Sequence, residues 1–341
     1  MASNNDNYDI DAVVLWVDGN DPAWQKVYKE CRFGDAEKDF SMRYRDWGIF
    51  KYWFRGIDKF MPWVRKVHFV TWGHMPEWLD TSCPKLHIVR HEDYIPKQFL
   101  PCFNSGVLEM FFQNIEDLAE HFVYFNDDHF CISPRKREDF FKDGKVCDML
   151  SFEPICAYSY PMWGYMKLNN SVVTARHFNK LEGMKKHFWH YFSWKYPLKY
   201  KLYNASEFFY PHFTSVLFTH NPSPMLKSSY EEIWSLEKET LEASAQSHFR
   251  SKTDISQILF RSWPLLKGNM VPRNNYKYSY YCQLSNDNEK IYNIIRKQKY
   301  QDICLNDGEN EDTIEYERVR NELIQAFESI LPDKCQFEKR T

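Results

Sequence analysis

The stretch HFVYFNDDHFCISP (His121–Pro134) places two adjacent aspartates directly after an apolar run. The run Phe122–Phe125 is short and rich in aromatic residues, which predicts a buried strand. Asn126, Asp127 and Asp128 then mark its carboxyl end. Two neighbouring carboxylates suit Mg²⁺ or Mn²⁺, because oxygen ligands hold these cations and leave other positions for phosphate oxygens and water. The alternative is that one aspartate caps the next segment while the other is solvated.

A second acidic residue follows another predicted strand. The run Ala12–Val17 is continuously apolar and ends in DGNDP, so Asp18 lies at the carboxyl end of a buried strand. A third strand-like segment, in QDICLNDGEN, ends at Asn306 and Asp307. In parallel sheets, ligands bind beyond the carboxyl ends of the strands. We therefore expect Asp18 to meet the two adjacent aspartates at one edge of a sheet.

Two more strand-like runs, VHFVTW from Val67 and LHIVRH from Leu86, are separated by a loop punctuated by glycine and proline, and helical patterns precede the first of them and the run at Phe122. Apolar residues recur at helical spacing over 45–60, and Asn104 or Ser105 can cap the next helix. Strands alternating with helices predict an α/β fold with a Rossmann-like, mostly parallel twisted sheet and flanking helices.

The second half of the chain is expected to be more helical, with segments over 229–241, after a cap at Thr253, and over 314–330. The length suits a single domain built of two packed lobes, 1–150 and 151–341.

The composition excludes several classes of protein. A net charge of −3 and a pI near 6.5 do not fit the basic surface of a nucleic-acid-binding protein. No window approaches the roughly 18 uninterrupted apolar residues of a membrane span, and the polar N-terminus does not resemble a signal peptide. The nine cysteines are scattered singly and without metal-ligand spacing, which predicts reduced thiols in the cytoplasm.

Aromatic side chains make up 18% of the chain, and they alternate with lysines between His187 and Phe213. This segment shows no clean period. It is compatible with a lid, a platform for an acceptor, an interfacial patch or a plain packed insertion.

Local groups of basic residues are candidates for anion binding. Arg43 and Arg45 occur in MRYRD, and Arg250 precedes a predicted helix N-terminus, where backbone N–H groups attract anions. His220 lies in FTHNPSP between an apolar run and a proline-fixed turn, a suitable position for a general base. Solvated arginines and a structural histidine are the alternatives. Because the chain lacks a glycine-rich phosphate loop, a GxSxG elbow and an HExxH helix, metal-assisted handling of a nucleotide diphosphate is favoured.

Four blocks of the sequence together resemble the Stealth family of sugar-1-phosphate transferases. In order along residues 9–307 they are DAVVLWVDGNDP; RYRDWGIFKYWFRGIDKFMPWVRKVHFVTWGHMPEWLD with LPCFNS and EHFVYFNDDHF; FTHNPSPMLKSSYEEIW with HFRSKTDISQILF; and ICLND. Several long blocks in one order are more specific than a short motif. The resemblance implies a GT-A-like form of the sheet, with nucleotide-sugar and metal binding in 1–150 and the catalytic and acceptor side in 151–341.

The resemblance also implies a reaction. Members transfer a hexose- or HexNAc-1-phosphate from a UDP-sugar to an acceptor hydroxyl and release UMP; bacterial members build capsular or exopolysaccharides, and an animal relative tags lysosomal glycoproteins. The expected partners are a UDP-hexose or UDP-HexNAc donor and an oligosaccharide or polysaccharide acceptor, including one on a lipid carrier. The expected cofactor is a divalent metal, Mg²⁺ with Mn²⁺ as the alternative. A cytoplasmic bacterial protein with peripheral membrane contact and no nucleic-acid partner is expected.

Matching positions imply roles for individual residues. His220 would be the base, Arg250 would hold phosphate, and Asp128 would complete the catalytic set. The metal would be held by Asp127, Asp128 and Asp307. The other matches are to substrate-binding positions: Asp18, Arg43, Arg45, Asp46, Asn104, Ser105 and Asn126. Three residues depart from those common in the family and bear on the identity of sugar and acceptor: Trp47, His74 and Cys102.

Two other functions would use the same features. An ordinary metal-dependent glycosyltransferase of the GT-A type would use the same acidic strand ends but release UDP. A non-catalytic carbohydrate-binding protein would use the aromatic segment and bind sugar independently of divalent metal. The clustering of acidic strand ends argues against the second alternative.

Overall fold

A five-stranded sheet organises the fold in the computed structural model of the protein, which describes residues 8–32, 44–156, 162–307 and 314–340. In spatial order its strands are Ser223–Leu226 (β10), His121–Phe125 (β4), Ile10–Leu15 (β1), Val67–Thr71 (β2) and Leu86–Arg90 (β3). The last four are parallel, and β10 is antiparallel to β4. This arrangement, with helices on its faces, confirms the predicted Rossmann-like fold class.

Smaller sheets surround this one within the described residues. Their strands are His129–Cys131 (β5), Phe141–Lys142 (β6), Lys145–Asp148 (β7), Phe152–Glu153 (β8), Ser215–Val216 (β9), Met270–Pro272 (β11), Ser279–Gln283 (β12) and Asp302–Asn306 (β13). They form three groups, in the orders β12-β13-β5, β11-β7-β6 and β8-β9.

The α-helices are concentrated after residue 150, as expected. In chain order they are Pro22–Cys31 (α1), Phe50–Phe60 (α2), His91–Tyr94 (α3), Ser105–Met110 (α4), Met162–His177 (α5), Lys180–Lys186 (α6), Phe188–Tyr191 (α7), Leu198–Ser206 (α8), Lys227–Ala245 (α9), Gln257–Leu266 (α10), Glu289–Arg296 (α11) and Tyr316–Glu328 (α12). Across the described ranges, none of them combines the length and the apolarity needed to cross a bilayer. All nine cysteines lie in the described residues and have free thiols.

The boundaries of several elements differ from the prediction. The helix expected over 45–60 begins at Phe50, and the helix expected after a cap at Thr253 begins at Gln257, with Ser256 before it. The reason for the second difference is that residues 251–254 close a turn of their own, in which Ser251 donates to Asp254 through both its backbone N–H and its hydroxyl. The predicted cap at Asn104 is confirmed, because its Oδ1 accepts from the N–H of Gly106.

The two faces of the sheet bury different clusters of side chains. On β1, Ala12 and Val14 face one cluster and Val13 faces the other, which is the alternation expected of a strand covered on both faces. Helix α2 covers the first face, where the Trp53 ring meets Phe125 of β4 at 5.4 Å. Full burial of a large apolar side chain contributes about 1.5–3 kcal/mol, so this aromatic layer is a main source of stability.

The C-terminal segment is fixed to α2 by a buried ion pair. The guanidinium of Arg55 donates to both carboxylate oxygens of Glu338, at 2.6 and 2.8 Å. Arg55 also donates to the carbonyls of Leu331 and Pro332. The end of the chain therefore packs against the helix that covers the sheet.

Candidate active site

A cavity of about 370 Å³ opens at the carboxyl ends of three strands. Trp16 and Val17 reach it from the end of β1, the three polar residues after β4 line it, and Asn306 reaches it from the end of β13. Strand β13 arrives there because it pairs antiparallel with β5, which begins directly after Asp128. The backbone N–H of Leu305 donates to the carbonyl of Asp128 at 2.9 Å. The edge of the sheet where ligand binding is expected therefore contains a cavity.

The predicted residues fall into three groups. Those that line the cavity are Ser105, Asn126, Asp127, Asp128, His220 and Arg250. Those in the described residues that lie outside its lining are Asp18, Arg45, Asp46, Asn104 and Asp307. Arg43 lies outside the described residues. The cavity therefore gathers all three residues expected to be catalytic from separate parts of the chain.

Asp128 is surrounded by groups that stabilise its negative charge. The thiol of Cys304 donates to its Oδ2 at 3.2 Å, Nε2 of His220 lies 3.7 Å from the same oxygen, and Nε2 of His129 lies 3.8 Å from Oδ1. Burial alone would raise the pKa of Asp128, but these neighbours hold it below its ordinary value. Asp128 is thus an ionised carboxylate held beside the candidate base.

Asp127 has the opposite electrostatic character, although it is open to the cavity. Desolvation at the wall of the cavity and the adjacent charge of Asp128 raise its pKa to about 7. Asp46 adds to this rise from outside the cavity lining. The pair therefore presents concentrated negative potential to any ligand in the cavity.

His129 was missed by the sequence reasoning, although it directly follows the two aspartates. It is buried, and its Nδ1 accepts from the backbone N–H of Asn126 at 3.3 Å. Burial lowers its pKa to about 3, so the ring is neutral and its single proton lies on Nε2, facing Asp128. Nε2 of His129 therefore faces the carboxylate from 3.8 Å, beyond hydrogen-bond distance.

A buried hydrogen-bond network holds Thr219, the residue that precedes His220. Arg261 donates to both the carbonyl and the hydroxyl of Thr219, at 2.8 and 2.9 Å. The same guanidinium pairs with Asp148 at 2.6 and 2.9 Å, and all three residues are buried. The ring of His220 packs edge-on against His129, with centroids 4.9 Å apart. The imidazole thus has a fixed position beside Asp128.

Arg250 lies on the exposed side of the cavity, and its Nη2 donates to the hydroxyl of Ser105 at 3.4 Å. The loop that carries it is held by Asp254, whose Oδ2 accepts from Nδ2 of the buried Asn104 at 3.0 Å. The same Asn104 caps α4. The buried Asn104 therefore fixes the positions of both Ser105 and the loop that carries Arg250.

Glu109 also lines the cavity and was missed by the sequence reasoning. It is buried and accepts from the Tyr124 hydroxyl at 2.8 Å. Burial raises the pKa of Glu109 to about 7. Hydrogen bonds from the Tyr124 hydroxyl and the Gln257 N–H, and the nearby charges of Arg250 and His220, lower it in part. The available signal was a single acidic residue inside the apolar run GVLEMFF.

The remaining predicted residues surround this cavity. Nη1 of Arg45 lies 3.5 Å from Oδ1 of Asp307, and its guanidinium lies over the Trp47 ring. The backbone N–H of Asp18 donates to Nε2 of His74 at 2.7 Å. Two of the three residues that depart from the family pattern, Trp47 and His74, therefore contact predicted substrate-binding residues. The third, Cys102, lines the cavity itself.

Several side chains at this site carry atoms that could bind a divalent cation. Among the described residues, Asp128, His129, His220 and Cys304 bring ligand atoms within 4.8 Å of one another, close enough to hold an ion. However, Nδ1 of His129 accepts a hydrogen bond, which leaves the ring proton on Nε2. This nitrogen therefore has no lone pair to offer an ion. Oxygen donors of Asn126, Asp127 and Asp128 also face the cavity, and oxygen ligands are those that Mg²⁺ and Mn²⁺ prefer. The residues present thus fit a hard cation.

Comparisons with known proteins identify related sequences for three regions of this chain and for nearly its full length. Three family models match: Stealth protein CR1, conserved region 1, at residues 8–35; CR2, conserved region 2, at 43–148; and CR4, conserved region 4, at 293–341. The first contains the end of β1, the second contains the two adjacent aspartates, and the third contains β13. All three strand ends of the cavity therefore lie in regions that the family models describe.

Several relatives match over nearly their full length. The chain is 38% identical over 340 residues to the capsular polysaccharide phosphotransferase WcwK of Streptococcus pneumoniae, covering 97% of this chain and 98% of the relative. It is 35% identical to the receptor polysaccharide phosphotransferase WefC of Streptococcus gordonii, covering 96% and 98%. It is 33% identical to the exopolysaccharide phosphotransferase cps2G of Lactiplantibacillus plantarum, covering 97% of both. The chain therefore belongs to the Stealth family, and it is a transferase of the same kind as these relatives.

Proposed function

We propose that the protein transfers a hexose- or HexNAc-1-phosphate from a UDP-hexose or UDP-HexNAc to a hydroxyl of an oligosaccharide or polysaccharide, releasing UMP. Acceptors include glycans carried on a lipid. The product is a phosphodiester link in a capsular polysaccharide or exopolysaccharide. One observation carries the proposal: His220, Arg250 and the two adjacent aspartates face the same cavity at the strand ends. The names of the relatives support phosphotransfer to polysaccharide.

The reaction forms one bond and breaks one. The acceptor oxygen attacks the phosphorus that carries the sugar, and the bond from this phosphorus to the bridging oxygen breaks, so that UMP leaves. His220 takes the hydroxyl proton, and the nearby Asp128 carboxylate stabilises the resulting imidazolium. Arg250 balances the charge that develops on the transferred phosphoryl group. Alignment and charge stabilisation are then the main catalytic contributions.

A divalent cation is assigned to the same edge. Asp127 and Asp128 would hold it, with Asp307 as a third carboxylate, and Mg²⁺ is preferred with Mn²⁺ as the alternative. When bound, it would neutralise the diphosphate of the donor. Contacts to the donor and acceptor are assigned to the residues around it: Asp18, Arg43, Arg45, Asp46, Asn104, Ser105 and Asn126. The nine free thiols fit a cytoplasmic location, where nucleotide sugars of this class would be the donors.

The nucleotide that is released tests this proposal. The purified protein is incubated with a panel of UDP-hexoses and UDP-HexNAcs, Mg²⁺ and an acceptor glycan, and the nucleotide product is separated by chromatography. The proposal expects UMP, and loss of UMP in a His220→Ala variant. Release of UDP would instead identify a glycosyltransferase that breaks the sugar–phosphate bond. Sugar binding with no nucleotide product, and with no effect of a chelator, would identify a carbohydrate-binding protein.

A further inference from the structure

Half of the exposed large apolar side chains of the described residues lie in one short segment. Eight of the sixteen fall between Phe188 and Tyr210, and Trp189 and Phe209 keep 74% and 86% of their side-chain surface in contact with solvent. Single exposed apolar residues are normal on a protein surface, but a local concentration of this size marks an interaction site. Core packing accounts for the buried Tyr191 and Tyr196 of this segment but not for its exposed side chains.

The segment is held rigidly, so these side chains do not project because of local unfolding. The ammonium group of the buried Lys180 pairs with Glu207 at 2.9 Å and also donates to the carbonyls of Tyr210 and His212. The buried Asn204 of α8 donates to the carbonyl of Tyr191 at 2.7 Å and so joins α8 to α7. Lys180 and Asn204 thus anchor the segment from the interior, while Trp189, Leu198, Leu202 and Phe209 remain exposed.

The exposed side chains on α8 share one side of the helix. Leu198 and Leu202 are four residues apart, which places them one above the other, and they are 67% and 59% exposed. Asn204 lies on the opposite side of the same helix and is completely buried. The next turn, Glu207–Phe209, continues the outward surface with Phe208, whose ring stacks near Phe192 at 6.3 Å.

Helix α7 adjoins this surface through a row of rings. Phe192 stacks on Phe188 at 4.6 Å, and Phe188 meets Trp189 at 5.2 Å. The rings of Phe208, Phe192 and Phe188 therefore form a row from the turn after α8 to α7. We call this the docking surface, made of Phe188, Trp189, Leu198, Leu202, Phe208 and Phe209.

Positive charge surrounds the docking surface. The segment 180–213 contains six lysines and two glutamates, although the whole chain has a net charge of −3. One of those glutamates is neutralised by the buried Lys180. Lys185 and Lys186, next to Phe188, are exposed and form no ion pair within the described part of the chain. Lys199 of α8 lies beside the rings of Tyr200 and Tyr203. The rim is therefore cationic on an acidic protein.

The combination of Trp, Phe and Leu with a lysine rim fits a lipid surface better than it fits other partners. Protein interfaces are depleted of lysine. A glycan is bound by polar groups around an aromatic ring, whereas Leu198, Leu202 and Phe209 present only carbon. Aromatic rings and lysines with long apolar stems are typical of membrane interfaces, where anionic headgroups attract the ammonium groups.

We propose that the docking surface binds the surface of an anionic lipid bilayer. The rings of Trp189 and Phe209 and the side chains of Leu198 and Leu202 enter the boundary between headgroups and acyl chains, and Lys185, Lys186 and Lys199 contact the headgroups. This binding goes beyond the proposed reaction and requires neither donor nor acceptor.

Co-sedimentation with vesicles tests the proposal without any sugar. The full chain is mixed with vesicles of phosphatidylcholine alone or of equimolar phosphatidylcholine and phosphatidylglycerol, at low and high salt. We expect binding to the anionic vesicles that weakens with salt. The Trp189→Ser/Phe209→Ser variant should bind at least roughly tenfold more weakly, because two apolar anchors are lost. The Lys185→Gln/Lys186→Gln variant should also lose on the order of tenfold or more.

Leu236→Ser is the matched control, because Leu236 lies on α9 and is 49% exposed. It should bind like the unchanged protein, and thermal melting should show that all variants remain folded. Failure of the unchanged protein to sediment with anionic vesicles would overturn the proposal. So would an equal loss in Leu236→Ser, or a dimer in size-exclusion chromatography that the Trp189→Ser/Phe209→Ser variant dissociates. The last result would assign the surface to a second copy of the chain.

Discussion

Nε2 of His220 lies 3.7 Å from Oδ2 of Asp128 at the end of β4. The separation exceeds a hydrogen bond, and in structures without substrate such contacts are often longer than in the reacting complex. The neighbouring His129, His220 and Cys304 hold the pKa of Asp128 below its ordinary value, so the carboxylate can stabilise a protonated His220. This relationship gives His220 the surroundings of a general base.

Replacing His220 by alanine should abolish most phosphotransfer while leaving the fold intact. Loss of a general base costs on the order of 10²-fold or more in rate. The measurement is the rate of UMP release from the preferred UDP-sugar, with circular dichroism to compare folding. His212→Ala, at an exposed histidine, should keep the full rate. A His220→Ala variant with near-normal turnover would remove the base from the mechanism.

Replacing Glu109 by glutamine should lower kcat more than it changes KM. The amide keeps an oxygen for the Tyr124 hydroxyl but cannot ionise beside Arg250 and His220, as a carboxyl group with a pKa of about 7 can. We expect a loss of roughly tenfold or more, in the range found when one electrostatic or proton-transfer partner is removed. Steady-state kinetics of UMP release measure it, and Glu116→Gln, at an exposed position, is the control. If both variants behave alike, Glu109 has only a packing role.

Removal of divalent metal should stop UMP release. Treatment with EDTA should abolish the activity, and Mg²⁺ or Mn²⁺ should restore it. The Asp127→Asn variant should need at least roughly tenfold more Mg²⁺ for half-maximal rate, since loss of even an outer-shell partner costs this much affinity. Asp333→Asn, at an exposed position remote in sequence, should titrate like the unchanged protein. Full activity in EDTA would exclude the metal from the reaction.

Breaking the ion pair between Arg55 and Glu338 should strongly destabilise the protein. Arg55→Met leaves the Glu338 carboxylate buried without its partner, which costs about 3–5 kcal/mol of unfolding free energy in comparable cases. Urea denaturation followed by tryptophan fluorescence measures this. Arg90→Met removes an exposed pair with Glu92 and should cost only about 0–1 kcal/mol.

The double variant Arg55→Met/Glu338→Gln separates charge from packing at this ion pair. Because it no longer buries an unpaired carboxylate, it should be more stable than Arg55→Met alone. Equal stability of the two variants would show that the loss comes from the arginine's contacts with Leu331 and Pro332 and not from the remaining charge.

The fold class could be predicted because each of its elements has a local signature. The runs at β1, β2, β3 and β4 are short and apolar, and segments of helical spacing precede β2 and β4, so the alternation of strands and helices was visible along the chain. Boundaries were less accurate where side chains compete with the helix. At residues 251–254, Asp254 accepts from Ser251 and delays the start of α10 to Gln257.

The candidate site could be predicted only in part. Asp127 and Asp128 were found because two acidic residues after an apolar run have a specific chemical meaning. Cys304 and His129 were missed, since a single cysteine and a single histidine have no local pattern. Their role depends on the pairing of β13 with β5, which brings Cys304 to Asp128 from the far end of the chain.

The aromatic segment shows the same division. Its composition was visible in the sequence, but the sequence did not show whether its aromatic side chains are buried or exposed. Tertiary contacts decided this, because Lys180 and Asn204 turn the polar side of the segment inward and leave Trp189 and Phe209 in solvent.

The sequence by itself determined the alternation of strands and helices, the acidic ends of the strands and the resemblance to a family. These depend on residue chemistry and on neighbours a few positions away. Only the tertiary structure decided which distant side chains share the cavity, which carboxylate stays charged, and which rings face solvent. Those properties depend on burial and on distances between segments, and packing sets both only when the whole chain has folded.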